Sequence, residues 1–259
     1  MVALIDVVSV VGTCAQVTML LGPMPDMRTI IRARSTGVTP FMPFVAMFAN
    51  SWIWTAYGYL DKTIFPVAVC NFIGVLLATF YTSVFYWFST ERAYAHKLMA
   101  GFGLLVVLLT IYGFVAGYGY TGQSRKSVTD VFGYIGIVTN TVFFASPFEG
   151  IRKVLKFRSA VFIPIVLVAA GLANSSLWVF YSLLKSDWFI FVPNAAAVLL
   201  AVVQVALYWA FHPSTHPYEP TEVAEEGKDL EAAPASIKGV ASPSFVALQS
   251  PHVSVPKHD

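Results

Sequence analysis

Apolar positions in this chain gather into long runs. All 16 Lys and Arg sit in the short stretches between them or in the C-terminal 48 residues. A helix that crosses the hydrocarbon of a bilayer needs about 20 mostly apolar residues. Seven segments qualify: roughly 5–24, 39–59, 64–88, 98–119, 131–149, 161–184 and 188–211. They are too long and too continuously apolar for the strands of a membrane barrel. The pattern predicts an all-α membrane protein with seven transmembrane helices. Composition agrees: 57% of the 259 residues are hydrophobic and 12% are charged, about half the charge of a soluble domain. A water-soluble enzyme, a nucleic-acid binder and a disordered protein are excluded on that ground.

The connecting stretches set an orientation, because Lys and Arg accumulate on the cytoplasmic side. Arg28, Arg32, Arg34, Arg92, Lys97, Arg152, Lys153, Lys156 and Arg158 fall on one side, and Lys62, Arg125, Lys126 and Lys185 on the other. Nine against four places the N-terminus outside and the C-terminus in the cytosol, in what is expected to be the plasma membrane. Met1–Asp6 lacks the basic start of a cleavable signal peptide, so the first helix is expected to be retained. From His212 on, seven prolines and an acidic patch from Glu219 to Glu231 predict a disordered cytosolic tail. Cys14 and Cys70 each lie inside an apolar run, and no Cys/His cluster has metal-ligand spacing, so no metal or cofactor is expected.

The chain repeats itself. A shift of 124 positions superimposes Pro23 on Pro147, Arg28 on Arg152, Arg34 on Arg158, Ser35 on Ser159 and Pro40 on Pro164. It also aligns Ala46 with Ala170, Ala49 with Ala173, Asn50 with Asn174, Ser51 with Ser175, Trp54 with Trp178 and Tyr57 with Tyr181. One deletion further on places Asn71 on Asn194. The equivalent basic stretches lie on the same side, so the two three-helix units are parallel. A fourth helix between them supplies the extra crossing that a second parallel copy requires. The expected division is a first repeat over 1–90, a linker helix over 91–125, a second repeat over 126–211 and the tail over 212–259.

All five asparagines (Asn50, Asn71, Asn140, Asn174 and Asn194) lie inside predicted helices. An amide facing hydrocarbon is costly, so these side chains face the bundle interior or a wet cavity. Amides also serve as interhelical glue. Two of the pairs are related by the repeat, however, and such axes carry midplane substrate sites in transporters. Trp54 and Trp178 stand four residues beyond Asn50 and Asn174, on the same helix faces. A flat indole beside an amide suits a sugar, which offers C–H bonds on its faces and hydroxyls at its rim. Trp87, Trp188 and Trp209 read as interfacial anchors. No charged residue falls deep in a span, which argues for a neutral substrate moved without proton coupling and against an enzyme.

This 3+1+3 order resembles the SWEET (MtN3/saliva) family of sugar transporters over roughly residues 5–211. The resemblance rests on Gly22-Pro23-x-Pro25…Arg34-Ser35-Thr36-Gly37, on Ser146-Pro147…Arg158-Ser159, on Asn50…Trp54-x-x-Tyr57-Gly58 with Asn174…Trp178-x-x-Tyr181, and on Pro193-Asn194. It implies a facilitative bidirectional uniporter working by alternating access. Asn71, Asn194, Trp54, Trp178, Asn50 and Asn174 would lie at the sugar, with Gln16 and Asn140, Met19 and Phe143 added from the first and fifth helices. Pro23, Pro43, Pro147 and Pro164 would form the hinges, and Tyr57 and Tyr181 the outer gate. Bulky Met19 and Phe143 favour a hexose such as glucose over a disaccharide. A homo-oligomer, a trimer for instance, is implied too. Two rivals predict different features: a proton-coupled PQ-loop-type carrier, which needs an intramembrane acid, and a seven-helix receptor, which needs no repeat.

Overall fold

The computed structural model describes residues 2–37, 39–90 and 92–216, with backbone alone at 2, 145 and 146. The predicted tail lies outside these residues from position 217 on. Among the described residues the chain forms nine α-helices and no strand. In order they are α1 Val2–Leu20, α2 Met24–Ala33, α3 Met42–Leu60, α4 Val69–Phe88, α5 Arg92–Gly117, α6 Arg125–Phe143, α7 Ala145–Phe157, α8 Ile165–Lys185 and α9 Trp188–Ala210.

Each unit begins with a helix broken near a proline. Pro23 sits at the start of α2 and Pro147 in the first turn of α7. There the missing N–H breaks no helical bond. The duplication extends to unusual backbone angles. Arg34 and Arg158 end α2 and α7 in the left-handed region, at φ 50° and 48°. Lys62 and Ser186 do the same at the opposite end of the units, at φ 64° and 56°. Both pairs are 124 positions apart, so the repeat read from side chains is also a repeat of conformation.

Two expectations change. The basic stretches after the first and fifth spans are helices rather than loops. In α2, Met27 and Ile30 are buried while Arg28 and Arg32 are exposed, and in α7 Val154 is buried while Arg152 and Lys156 are exposed. One apolar face against the bundle is enough to fold a charged segment as a helix. The second change concerns hydropathy. Six helical segments are long and apolar enough to cross a membrane, with α1–α2 and α6–α7 each counting as one continuous segment. α3 is not among them, because Asn50, Ser51, Thr55 and four Trp or Tyr residues lower its hydropathy. The rest of the fold explains this: α3 buries nine residues against neighbouring helices and has little need of a uniformly apolar surface.

Within the first unit α4 lies between α1 and α3, and within the second α9 lies between α6 and α8. The units meet through two equivalent contacts, α3 on α6 and α1 on α8. α5 packs mainly on α3, with a smaller contact to α6. One apolar core is shared by both units and includes Ile53, Trp54, Tyr57, Val67, Val128, Phe132, Trp178, Tyr181 and Ile190. At the basic end each unit has its own. Met27, Ile30, Phe41, Phe44, Tyr81 and Phe85 form the first, and Val154, Ile163, Val168 and Ala201 the second. The halves are joined at the tyrosine end and separately packed at the arginine end.

Candidate functional site

Helical spacing sets Asn50, Trp54 and Tyr57 on one face of α3, and Asn174, Trp178 and Tyr181 on the matching face of α8. In each unit the indole meets its tyrosine edge-on, at 5.3 Å in the first and 5.6 Å in the second. Each face then crosses to the other unit. Asn50 Oδ1 accepts a bond from the Thr139 hydroxyl of α6 at 3.0 Å, and Asn174 Nδ2 donates to Gln16 Oε1 of α1 at 2.9 Å. The four residues are half-buried, and the two bonds bridge the halves across matching helix pairs, although Thr139 and Gln16 are not related by the shift.

Asn71 and Asn194 behave alike as well. Asn71 Nδ2 donates to the Val67 carbonyl at 2.9 Å and Asn194 Nδ2 to the Ile190 carbonyl at 2.8 Å, each one turn back on its own helix. That bond fixes the amide's orientation. The carbonyl oxygen of each remains for another partner, while Asn71 Nδ2 also reaches Cys70 Sγ at 3.6 Å. The helices that carry them, α4 and α9, share no extended contact. Both amides are half-buried, as are Asn140 and Met19, whereas Phe143 is exposed at the end of α6. The Met19 side chain reaches toward α8 beside Gly171.

The indoles are covered differently. Gly136 of α6 lies against Trp54 so closely that a Cβ there would stand 2.9 Å from the ring, whereas a Cβ on the equivalent Gly12 of α1 would meet nothing within 4 Å. Beside Trp178 this leaves a gap too small for a water molecule, lined by Val8, Ser9, Gly12, Pro66, Leu177 and Tyr181. Asn174 Oδ1, Trp178 Nε1 and Tyr181 Oη line up on this side of α8 as buried polar atoms without a hydrogen bond among the described residues. Each such atom costs about 1–3 kcal/mol.

The tyrosine end is latched on one side only. Tyr57 donates to Asp187 at 2.9 Å, and Asp187 Oδ1 also accepts the N–H groups of Phe189 and Ile190, capping α9. Burial pushes the Asp187 carboxyl above the ordinary carboxylate range, and nearby Asp61 adds to the rise. The N–H of Ile190, the hydroxyl of Tyr57 and the N–H of Phe189 oppose it. The equivalent of Asp187 in the first unit is Thr63, whose hydroxyl bonds to Asp61, and Tyr181 makes no corresponding bond. A second tie comes from Arg125 at the start of α6, which donates to the carbonyls of Leu60 and Tyr59 at 2.7 and 2.8 Å. It therefore satisfies the exposed C-terminal carbonyls of α3.

The hinge candidates stand at helix starts and junctions. Pro23 and Pro147 lie at the α1–α2 and α6–α7 junctions, Pro43 in the first turn of α3, and Pro164 just before α8. Trp87, Trp188 and Trp209 are exposed at helix ends. The sequence reading missed Thr139, Arg125 and the glycine pair. The shift of 124 already aligns Gly12 with Gly136, so the glycines were detectable; the hydrogen bonds of Thr139 and Arg125 depend on the register between helices.

Comparison with known proteins follows the same division. The family model for sugar efflux transporters for intercellular exchange (MtN3/saliva) matches residues 6–93 and again 130–216. Bidirectional sugar transporter SWEET5 of Arabidopsis thaliana is 26% identical over 212 residues, covering 81% of this chain and 87% of that protein. SWEET16 of the same plant is 27% identical over 210 residues, covering 81% and 90%. Sugar transporter SWEET1 of Drosophila pseudoobscura pseudoobscura is 26% identical over 200 residues, covering 77% and 86%. Among solved structures, a eukaryotic SWEET transporter superimposes with a TM-score of 0.67 at 24% identity, over 80% of this chain and 96% of that one.

Proposed function

The chain belongs to the MtN3/saliva (SWEET) family of sugar efflux transporters, and from that premise we propose that it is a facilitative, bidirectional uniporter of a hexose such as glucose. The observation that carries this reading is the matched pair Asn71 and Asn194. Each is oriented by one bond to its own helix and keeps its carbonyl oxygen for a hydroxyl. The two helices bearing them do not close on each other. In the proposed pocket Trp54 and Trp178 face the sugar ring, and Gln16, Asn50, Asn140 and Asn174 supply further polar edges. Met19 and Phe143 limit its size to one ring.

Transport proceeds by alternating access between the three-helix bundles. The shared core and the Tyr57–Asp187 bond support a conformation closed at the outer end. The separate cores at the basic end support one in which the bundles part there. Pro23, Pro43, Pro147 and Pro164 absorb the bending. Opening the outer end breaks the Tyr57–Asp187 and Arg125 bonds. The bundles then close over the amides from the basic side. We place the protein in the plasma membrane with its N-terminus outside, as a homo-oligomer in which each subunit carries its own pathway.

The test is uptake of a radiolabelled sugar panel into transport-deficient cells, with Asn71→Ala and Asn194→Ala scored against the amount of each variant at the surface. Hexose uptake that falls at least tenfold in both variants is expected. Wild-type rates in both would remove these amides from the pocket.

A further inference from the structure

The two amphipathic helices at the basic end supply no residue of the proposed pocket, yet the repeat carries apolar and basic residues at the same four positions of each, with Met24 half-buried where Phe148 is exposed. On α2 the sequence Met24, Arg28, Ile31, Arg32 runs along one side of the helix. At the positions 124 further on, α7 carries Phe148, Arg152, Leu155 and Lys156. Arg28 and Arg152 are exposed, as are Arg32 and Lys156. The large apolar residues between them are exposed too: Ile31 at 45%, Phe148 at 58% and Leu155 at 56%. The opposite face of each helix is anchored in its own unit, through Met27 and Ile30 in α2 and Val154 in α7. Arg28 and Arg152 make no ion pair among the described residues. Lys153 of α7 forms a close pair with Glu149 at 2.7 Å and lies off this stripe.

A face on which arginines alternate with exposed Ile, Leu and Phe suits neither bulk water nor hydrocarbon. It suits the level of the headgroups, where apolar side chains dip into the acyl boundary and guanidinium groups meet phosphates. The geometry points to α2 and α7 as a pair of docking surfaces for anionic phospholipid headgroups, one on each bundle, in the leaflet that the basic end faces. Charge complementarity selects the occupant, since both stripes carry only cations and a single-sign surface attracts anionic lipid. Each surface begins directly after the Pro23 or Pro147 break, so a bound headgroup fixes the short helix while α1 or α6 tilts.

The full chain, purified in detergent, is to be equilibrated with phosphatidylserine or phosphatidylcholine and the retained lipid read by native mass spectrometry. The variant Arg28→Gln/Arg32→Gln/Arg152→Gln/Lys156→Gln should retain phosphatidylserine about tenfold less than the parent, with phosphatidylcholine unchanged. The half variants Arg28→Gln/Arg32→Gln and Arg152→Gln/Lys156→Gln should each lose part of that retention, which keeps the test open if the fourfold variant fails to fold. Arg92→Gln/Lys97→Gln, on the same end but off these helices, should bind as the parent does. Equal retention in the parent and both half variants would overturn the assignment, as would an equal loss in Arg92→Gln/Lys97→Gln or full displacement of the lipid by inorganic phosphate. Sugar flux is not the readout, so the transport reading and this one fail separately.

Discussion

Asp187 links the tyrosine ends of the two bundles through Tyr57, and its burial gives the latch a pH dependence of definite sign. Its proton affinity is raised in the closed conformation by burial and falls back when water enters an open gate. Protonation therefore favours the closed form: that stabilisation is present at low pH and is lost as pH rises through the raised value. Acidifying the outer medium from neutrality should slow zero-trans sugar uptake in reconstituted vesicles. Asp187→Asn keeps an acceptor for Tyr57 but no titrating group, and its profile should be flat. A wild-type slope in that variant would assign the effect elsewhere. Much at this scale could be read from the sequence. The paired Asn, Trp and Tyr residues stand out because polar groups inside apolar runs are rare and their spacing repeats. The partners Thr139 and Arg125 were not legible, since they are ordinary residues until the packing of α3 on α6 brings them to Asn50 and to the end of α3.

The elements pack less evenly than the repeat suggests, and glycines show where. Trp54 lies flush on Gly136, whereas the matching Gly12 faces open space. Gly136→Ala should displace the Trp54 ring and cut hexose uptake several-fold, while Gly12→Ala should be close to neutral; similar losses from both would contradict the unequal packing. Gly58 is tighter still, because a Cβ there would stand 2.7 Å from the backbone nitrogen of Ala68. Backbone cannot rotate away, so Gly58→Ala should cost about 1–3 kcal/mol, measured as a lowered melting temperature in detergent. The second unit has Ser182 at that position, buried and bonded to the Val179 carbonyl. The order of the spans was evident from the apolar runs, although α3 falls short on hydropathy. α2 and α7 were not, because prolines and arginines mask a helical period that becomes visible only once a buried face is known.

For the whole molecule, the seven crossings, the parallel duplication and the need for a linking helix all followed from the sequence. The sharing of one core at the tyrosine end and its division into two at the arginine end did not, since both ends contribute similar apolar residues. The side on which α5 rests was equally unreadable. It lies mainly on α3, where Trp52 donates to Thr110 at 3.0 Å, so a body of five helices, α1–α5, faces one of four, α6–α9. The stretch from Tyr118 to Ser124 that leaves it is exposed throughout and turns on Gly119 and Gly122, at φ 84° and 67°. Such a connection holds the halves in sequence but contributes little to their fit. Its consequence is that the protein should tolerate being cut in two. Fragments 1–121 and 122–259, expressed together, should reassemble and restore sugar uptake, while either piece alone should give none. If that holds, the junction can receive an inserted reporter domain, and each half can be labelled independently of its twin.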